Sequence, residues 1–86
     1  MGEVMIWGRF TRGIDRIELA RICLEEIHLW PGCETVVSVG VLSVPPDRFT
    51  LRVIEYGAAQ MKLADRALRT IERIKLREFH LKADCN

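Results

Sequence analysis

Glu78-Phe79-His80-Leu81-Lys82-Ala83-Asp84 alternates polar and apolar side chains without a break. Successive side chains of a strand point to opposite faces, so a period of two marks a half-buried strand. The residues before this stretch keep helical spacing, and no Gly, Pro or Asn lies between Ile74 and Phe79 to stop a helix. Two architectures hang on the choice. Read as a strand, the stretch completes a β-α-β-β-α-β chain: an α+β ferredoxin-like split βαβ sandwich, with an antiparallel sheet and two helices on one face. Read as more helix, it leaves βαββα with a long C-terminal helix. The alternation favours the strand.

Upstream of it, Ala58 to about Lys75 is expected to be helical. Met61, Ala64, Ala67 or Leu68, Ile71 and Ile74 or Lys75 track one stripe. Phe49 to Tyr56 alternates Phe49, Leu51 and Val53 against Thr50, Arg52 and Ile54, which reads as a strand closed by Gly57. Pro45-Pro46-Asp47 forces a turn and makes this strand a hairpin with the one before it. That earlier strand, Thr35 to Val44, is Val-rich and free of charge, which predicts an interior strand or one covered on both faces; Gly40 in its middle predicts a bulge or a close backbone approach.

The first helix is expected from Ile14, with Ile14, Ile17, Ala20, Leu24 and Ile27 on its stripe and Leu19 and Cys23 widening it. Thr11 or Gly13 would cap it, and Trp30-Pro31-Gly32 would end it. Val4 to Phe10 is the expected first strand, followed by turn-permissive Thr11, Arg12 and Gly13. Right-handed crossovers then put strands one and three in the centre and strands two and four at the edges.

The bulk numbers bound the function. Eighty-six residues are expected to make a single domain, since a second core would have too few residues to close. A chain of this size buries only roughly 60–65% of its unfolded surface and gains from a partner. With 49% hydrophobic and 29% charged residues, the chain is expected to be globular and not disordered. The net charge of +1 lacks the basic excess of a dedicated nucleic-acid binder. No apolar run reaches the roughly 20 residues of a membrane span, and no secretory leader is expected. Cys23, Cys33 and Cys85 cannot all pair within one chain and none sits in a CxxC, so a reduced, cytoplasmic protein is expected.

Motifs for chemistry are few. His28-Leu-Trp-Pro-Gly-Cys33 and His80-Leu-Lys-Ala-Asp-Cys85 repeat an H-L-x-x-x-C pattern, and His28, Cys33, His80 and Cys85 together could form a tetrahedral zinc set. Structural zinc sites keep their pairs tighter, and these two segments end at different kinds of element. Cys23 sits on an apolar stripe, and Cys33 beside Glu34 has no evident activating base. No Gly-rich phosphate loop, G-x-S-x-G or H-E-x-x-H occurs. An acylphosphatase-like enzyme would need an interior asparagine, and the only Asn is Asn86. The expectation is a non-enzymatic protein without a cofactor.

The sheet face away from the helices is more informative. If Ile6, Phe10, Phe49, Leu51, Val53, Phe79 and Leu81 pack inward, parity sends Met5, Trp7, Arg9, Leu42, Arg52, Ile54, Tyr56 and His80 outward as interface candidates. Val36, Thr50 and Lys82 would share that face. Such a surface is too apolar for bare solvent and too polar for a core, which is the composition of an interface. The expected partner is a second copy or another protein. The alternative is single-stranded RNA stacked on Trp7 and Tyr56, with Arg9, Arg52 and Lys82 meeting phosphates. Met5-Ile6-Trp7-Gly8-Arg9-Phe10 resembles the first strand of an RNA-recognition module, but its aromatic is one residue out and so on the opposite face.

Val37-Ser38-Val39-Gly40-Val41-Leu42-Ser43-Val44, Leu63-Ala64-Asp65-Arg66-Ala67-Leu68 and Lys75-Leu76-Arg77-Glu78-Phe79-His80-Leu81 resemble the ACT-like regulatory domains, among them the C-terminal domain of the nickel-responsive repressors. The resemblance covers about half the chain. It implies a ferredoxin-like fold, a regulatory role and side-by-side dimerisation. Where the repressors place their metal ligands this chain has Val41, Ser43 and Phe49, none of which binds nickel. Their ribbon-helix-helix segment is absent, and the glycine-rich first loop of amino-acid-sensing relatives is reduced to Gly13.

Overall fold

The computed structural model describes residues 11–82. Their elements are β1 (Arg12–Ile14), α1 (Arg16–Ile27), β2 (Ser38–Val44), β3 (Arg48–Glu55), α2 (Met61–Glu78) and β4 (Phe79–Leu81). The class is α+β and the long C-terminal helix does not form. Phe79 leaves α2 with φ −134° and ψ 155°, and its N–H makes the closing bond to the Lys75 carbonyl. Leaving the helix there returns Leu81 to the core, where it is buried. The Phe79 ring is held beneath two cations, Arg12 at 5.6 Å and Lys75 at 5.9 Å from its centroid.

The expected first strand, Val4 to Phe10, lies outside the described residues. Arg12 and Gly13, read as a turn, are extended in β1, and the helix begins at Arg16 rather than Ile14. The cap decides this. Asp15 Oδ1 accepts the Glu18 N–H at 2.8 Å, and Thr11 and Gly13 are too far upstream to do so. Ile14 is thereby free to enter the core as a strand residue.

Strand order also departs from expectation. The described residues form two two-stranded sheets, β1 with β4 and β2 with β3. β2 and β3 are the expected antiparallel hairpin, but β1 runs parallel to β4, with Gly13 opposite His80. A ferredoxin-like sheet needs strands one and four antiparallel. The Lys82 N–H bonds the Ile14 carbonyl and the Leu81 N–H bonds the Asp47 carbonyl, each at 3.0 Å. Consecutive amides of a strand point to opposite sides, so β4 stands between β1 and the start of β3 and is not an edge. The expected order concerns a first strand at residues 4–10, a different segment from β1.

Both helices cover one face of the hairpin. Val39, Val41, Phe49, Leu51 and Val53 meet Leu19, Cys23 and Ile27 of α1 and Ala64, Ala67, Leu68 and Ile71 of α2. The α1 stripe is narrower than expected: only the row at spacing four is buried, and Ile17 is 82% exposed. α2 buries its expected stripe apart from its first-turn Met61 and Ile74. Gly57 closes β3 with φ +61°, and a Cβ there would lie 2.1 Å from the Thr35 carbonyl oxygen, so only glycine fits.

Candidate functional site

The outer face of the hairpin groups three exposed apolar residues on one sheet surface. Leu42 is 47% exposed, Val44 41% and Ile54 60%, so the Val-rich strand is covered on one face and not on both. The register brings them together: Leu42 lies opposite Thr50 and Gly40 opposite Arg52. Ser38 pairs with Glu55 while Val39 pairs with Val53, which leaves Ile54 as an extra residue. The irregularity lies between Ser38 and Val39 and not at Gly40, which pairs regularly with Arg52. A Cβ on Gly40 would come within 2.8 Å of Ile54 Cδ1. The missing side chain therefore makes a notch, and Ile54 lies across it. Arg52 and Glu55, both exposed, add one charge of each sign.

Other expected interface residues are placed differently. Met5, Trp7 and Arg9 lie outside the described residues. Val36 is only 2% exposed: it belongs to the turn after α1, where the His28 ring nitrogen Nε2 is 2.7 Å from the Val36 carbonyl oxygen, and strand parity does not reach it. Tyr56 leans toward α2, its hydroxyl donating to Asp65 Oδ1 at 2.6 Å, and that bond raises its pKa. A carboxylate on the phenol is a poor neighbour for phosphate, and Tyr56 packs partly on the core instead of standing beside Ile54. His80, half-buried in β4, has its Nδ1 3.0 Å from Thr11 Oγ1.

The four expected metal ligands are not assembled. His28 follows the end of α1 and His80 pairs with Gly13 before its start, so a helix of 12 residues, about 18 Å long, separates them. Cys33 is buried, Cys85 lies outside the described residues, and no group of three or more potential ligands occurs among the described residues. Burial pushes the Cys23 thiol up to about 12, only partly offset by the Lys75 ammonium, and burial also raises Cys33. Both thiols are held neutral at ordinary pH.

Two features carried no sequence signal. Lys75, buried on α2, meets Glu26 Oε2 of α1 at 2.5 Å and Glu78 Oε1 at 3.2 Å. Burial pulls its pKa down, but the two carboxylates outweigh that and the net shift is upward. The second is a groove of about 680 Å³, lined by Leu42, Arg52 and Ile54 of the outer hairpin face and by Asp65, Arg69 and Glu72 of α2. In it Glu72 Oε1 accepts from the Leu51 N–H at 2.8 Å and from Thr50 Oγ1 at 3.0 Å. Val44 was within reach of sequence reasoning, since it shares the parity of Leu42.

No helix among the described residues is long and apolar enough to cross a membrane. Comparison with known proteins finds no family model, no curated relative and no solved structure that matches this chain.

Proposed function

We propose that this chain is a small non-enzymatic regulatory or interaction domain, and that its partner is a second copy meeting it across the outer face of β2 and β3. The observation that carries the reading is the row Leu42, Val44 and Ile54 on a sheet face that no described element covers. Its charges fit a two-fold arrangement, in which each Arg52 can meet the other copy's Glu55. A domain this small also gains more from association than a larger one. The βαββαβ order and the residues shared with ACT-like domains support the same habit of dimerisation, within a ferredoxin-like kinship. Neutral, buried Cys23 and Cys33 support a non-enzymatic role in a reducing, cytoplasmic compartment.

The test is isotope-filtered NMR on a mixture of labelled and unlabelled full-length chains. Contacts between chains at the methyl groups of Leu42, Val44 and Ile54 are expected. Their absence at concentrations where the protein is dimeric removes this face as the interface.

A further inference from the structure

The net charge of +1 is the sum of two unlike parts. α2 carries six basic residues against three acidic, a net +3, while the rest of the chain carries seven against nine. Five of the six, Lys62, Arg66, Arg69, Arg73 and Arg77, recur at spacings of four, three, four and four. At 3.6 residues per turn they fall within an arc of about 80°, along about 22 Å of helix. All five are exposed, on the side of α2 opposite the buried Ala64, Leu68 and Ile71. We infer that this row is a binding surface for double-stranded DNA, held by the phosphate backbone and not by base sequence.

The carboxylates of the helix do not neutralise the row. Asp65 accepts the Tyr56 hydroxyl at 2.6 Å, Glu72 accepts the Leu51 N–H at 2.8 Å, and Glu78 meets Lys75 at 3.2 Å. None of the five cations has an ion-pair partner among the described residues, whereas Arg21 of α1 pairs with both Glu18 and Glu25. Like charges at spacing four destabilise a helix, a cost that a polyanion laid along the row would offset.

The chemistry of the row selects its occupant. Four of the five cations are arginine, whose planar fork bonds two phosphate oxygens at once. A DNA duplex presents a charge about every 1.7 Å of its axis, so every cation of a row about 22 Å long can reach a phosphate. The row holds no aromatic side chain on which the bases of a single strand could stack. A membrane surface would take up an apolar stripe beside the cations, and the apolar stripe of α2 is in the core. RNA duplexes are met through their 2′-hydroxyls, and the hydroxyl bordering the row, Thr70, already donates to the Arg66 carbonyl.

The row is independent of the proposed dimer. α2 covers the inner face of the hairpin, so its solvent side points away from Leu42, Val44 and Ile54; Arg69 alone of the five also borders the groove. Each copy in an outer-face dimer keeps its own row.

The experiment is fluorescence anisotropy of a labelled DNA duplex of about 20 base pairs with the full-length chain, at salt from about 50 to 200 mM. Unrelated sequences should bind alike, with log K falling against log salt at a slope of about −4.5. Arg66→Gln with Arg73→Gln should weaken binding at least ~tenfold and bring the slope to about −3. The equal charge change Arg21→Gln with Arg48→Gln should cost less than ~threefold. On the native chain, NMR titration with the same duplex should shift the amides of residues 62–77 and leave Leu42 and Ile54 in place. Equal losses from the two double variants, or shifts centred on Leu42 and Ile54, would overturn the inference. So would an absence of binding at about 50 mM salt, or tighter binding of a single strand, an RNA duplex or phosphatidylserine vesicles. The outer-face dimer has its own readout, interchain methyl contacts at Leu42 and Ile54, so failure of one does not mimic failure of the other.

Discussion

The two faces of the β2–β3 hairpin are built from the same kind of residue and meet opposite fates. Inward, Val39, Val41, Phe49, Leu51 and Val53 are buried under two helices; outward, Leu42, Val44 and Ile54 stand in solvent. Aliphatic content therefore does not say which face is core. The helices choose, because their apolar stripes can cover one face only, and the other face keeps a composition that association would satisfy. Polar content separates the two faces more sharply. Thr50, Arg52 and Glu55 belong to the outer side, and the inner face has no charged residue from either strand.

The largest effect comes from the inner face. Phe49→Ala should cost about 3–5 kcal/mol in urea unfolding, through lost burial and the cavity left under α2. Next is pH, which acts on the core and leaves the outer face alone. Cys23 faces Lys75, Glu26 and Glu72, and its folded pKa of about 12 stands above its ordinary 9.0. The fold thus holds the thiol proton more tightly than the unfolded chain does. Its contribution is complete below about pH 9 and is lost as pH rises toward 12, at about 1.4 kcal/mol per pH unit. Lys75 and Tyr56, both raised, lose their contributions in the same direction. Unfolding midpoints taken from pH 8 to 11 should fall steadily, and Cys23→Ala should flatten the slope.

A smaller effect belongs to the edge between the faces. Glu72→Gln keeps an acceptor for the Leu51 N–H but removes its charge, and should cost about 1–2 kcal/mol. Smallest is Ile54→Ser or Leu42→Ser, within about 0.5 kcal/mol for the isolated chain. A large loss of monomer stability in those variants would erase the distinction between the faces.

The hairpin was legible because proline marks its turn and parity sorts its faces; Phe49, Leu51, Val53, Leu42, Arg52 and Ile54 all fell as the alternation assigned them. The strand at Phe79–Leu81 was legible for the same reason. Val36 was not, because parity ends where hydrogen-bonded pairing ends, and β2 starts only at Ser38. The helix start at Arg16 turned on one Asp15 carboxylate, and two upstream residues, Thr11 and Gly13, offered competing caps on paper. Strand order was the least legible, since it depends on which segment occupies the edge beside β4, a long-range choice that no local pattern records. Glu72 and Lys75 stayed hidden too: a charged residue on a helix reads as solvent-facing until the strand edge or the neighbouring helix that holds it is known.

The most direct test of the outer-face account is average mass by sedimentation equilibrium over a dilution series, for the native chain and the Leu42→Ser, Ile54→Ser double variant. The account predicts that the native chain rises from 9.9 kDa toward twice that value with concentration, while the double variant keeps its fold and stays at monomer mass. A native chain that remains a monomer throughout, or a double variant that associates equally well, would contradict it.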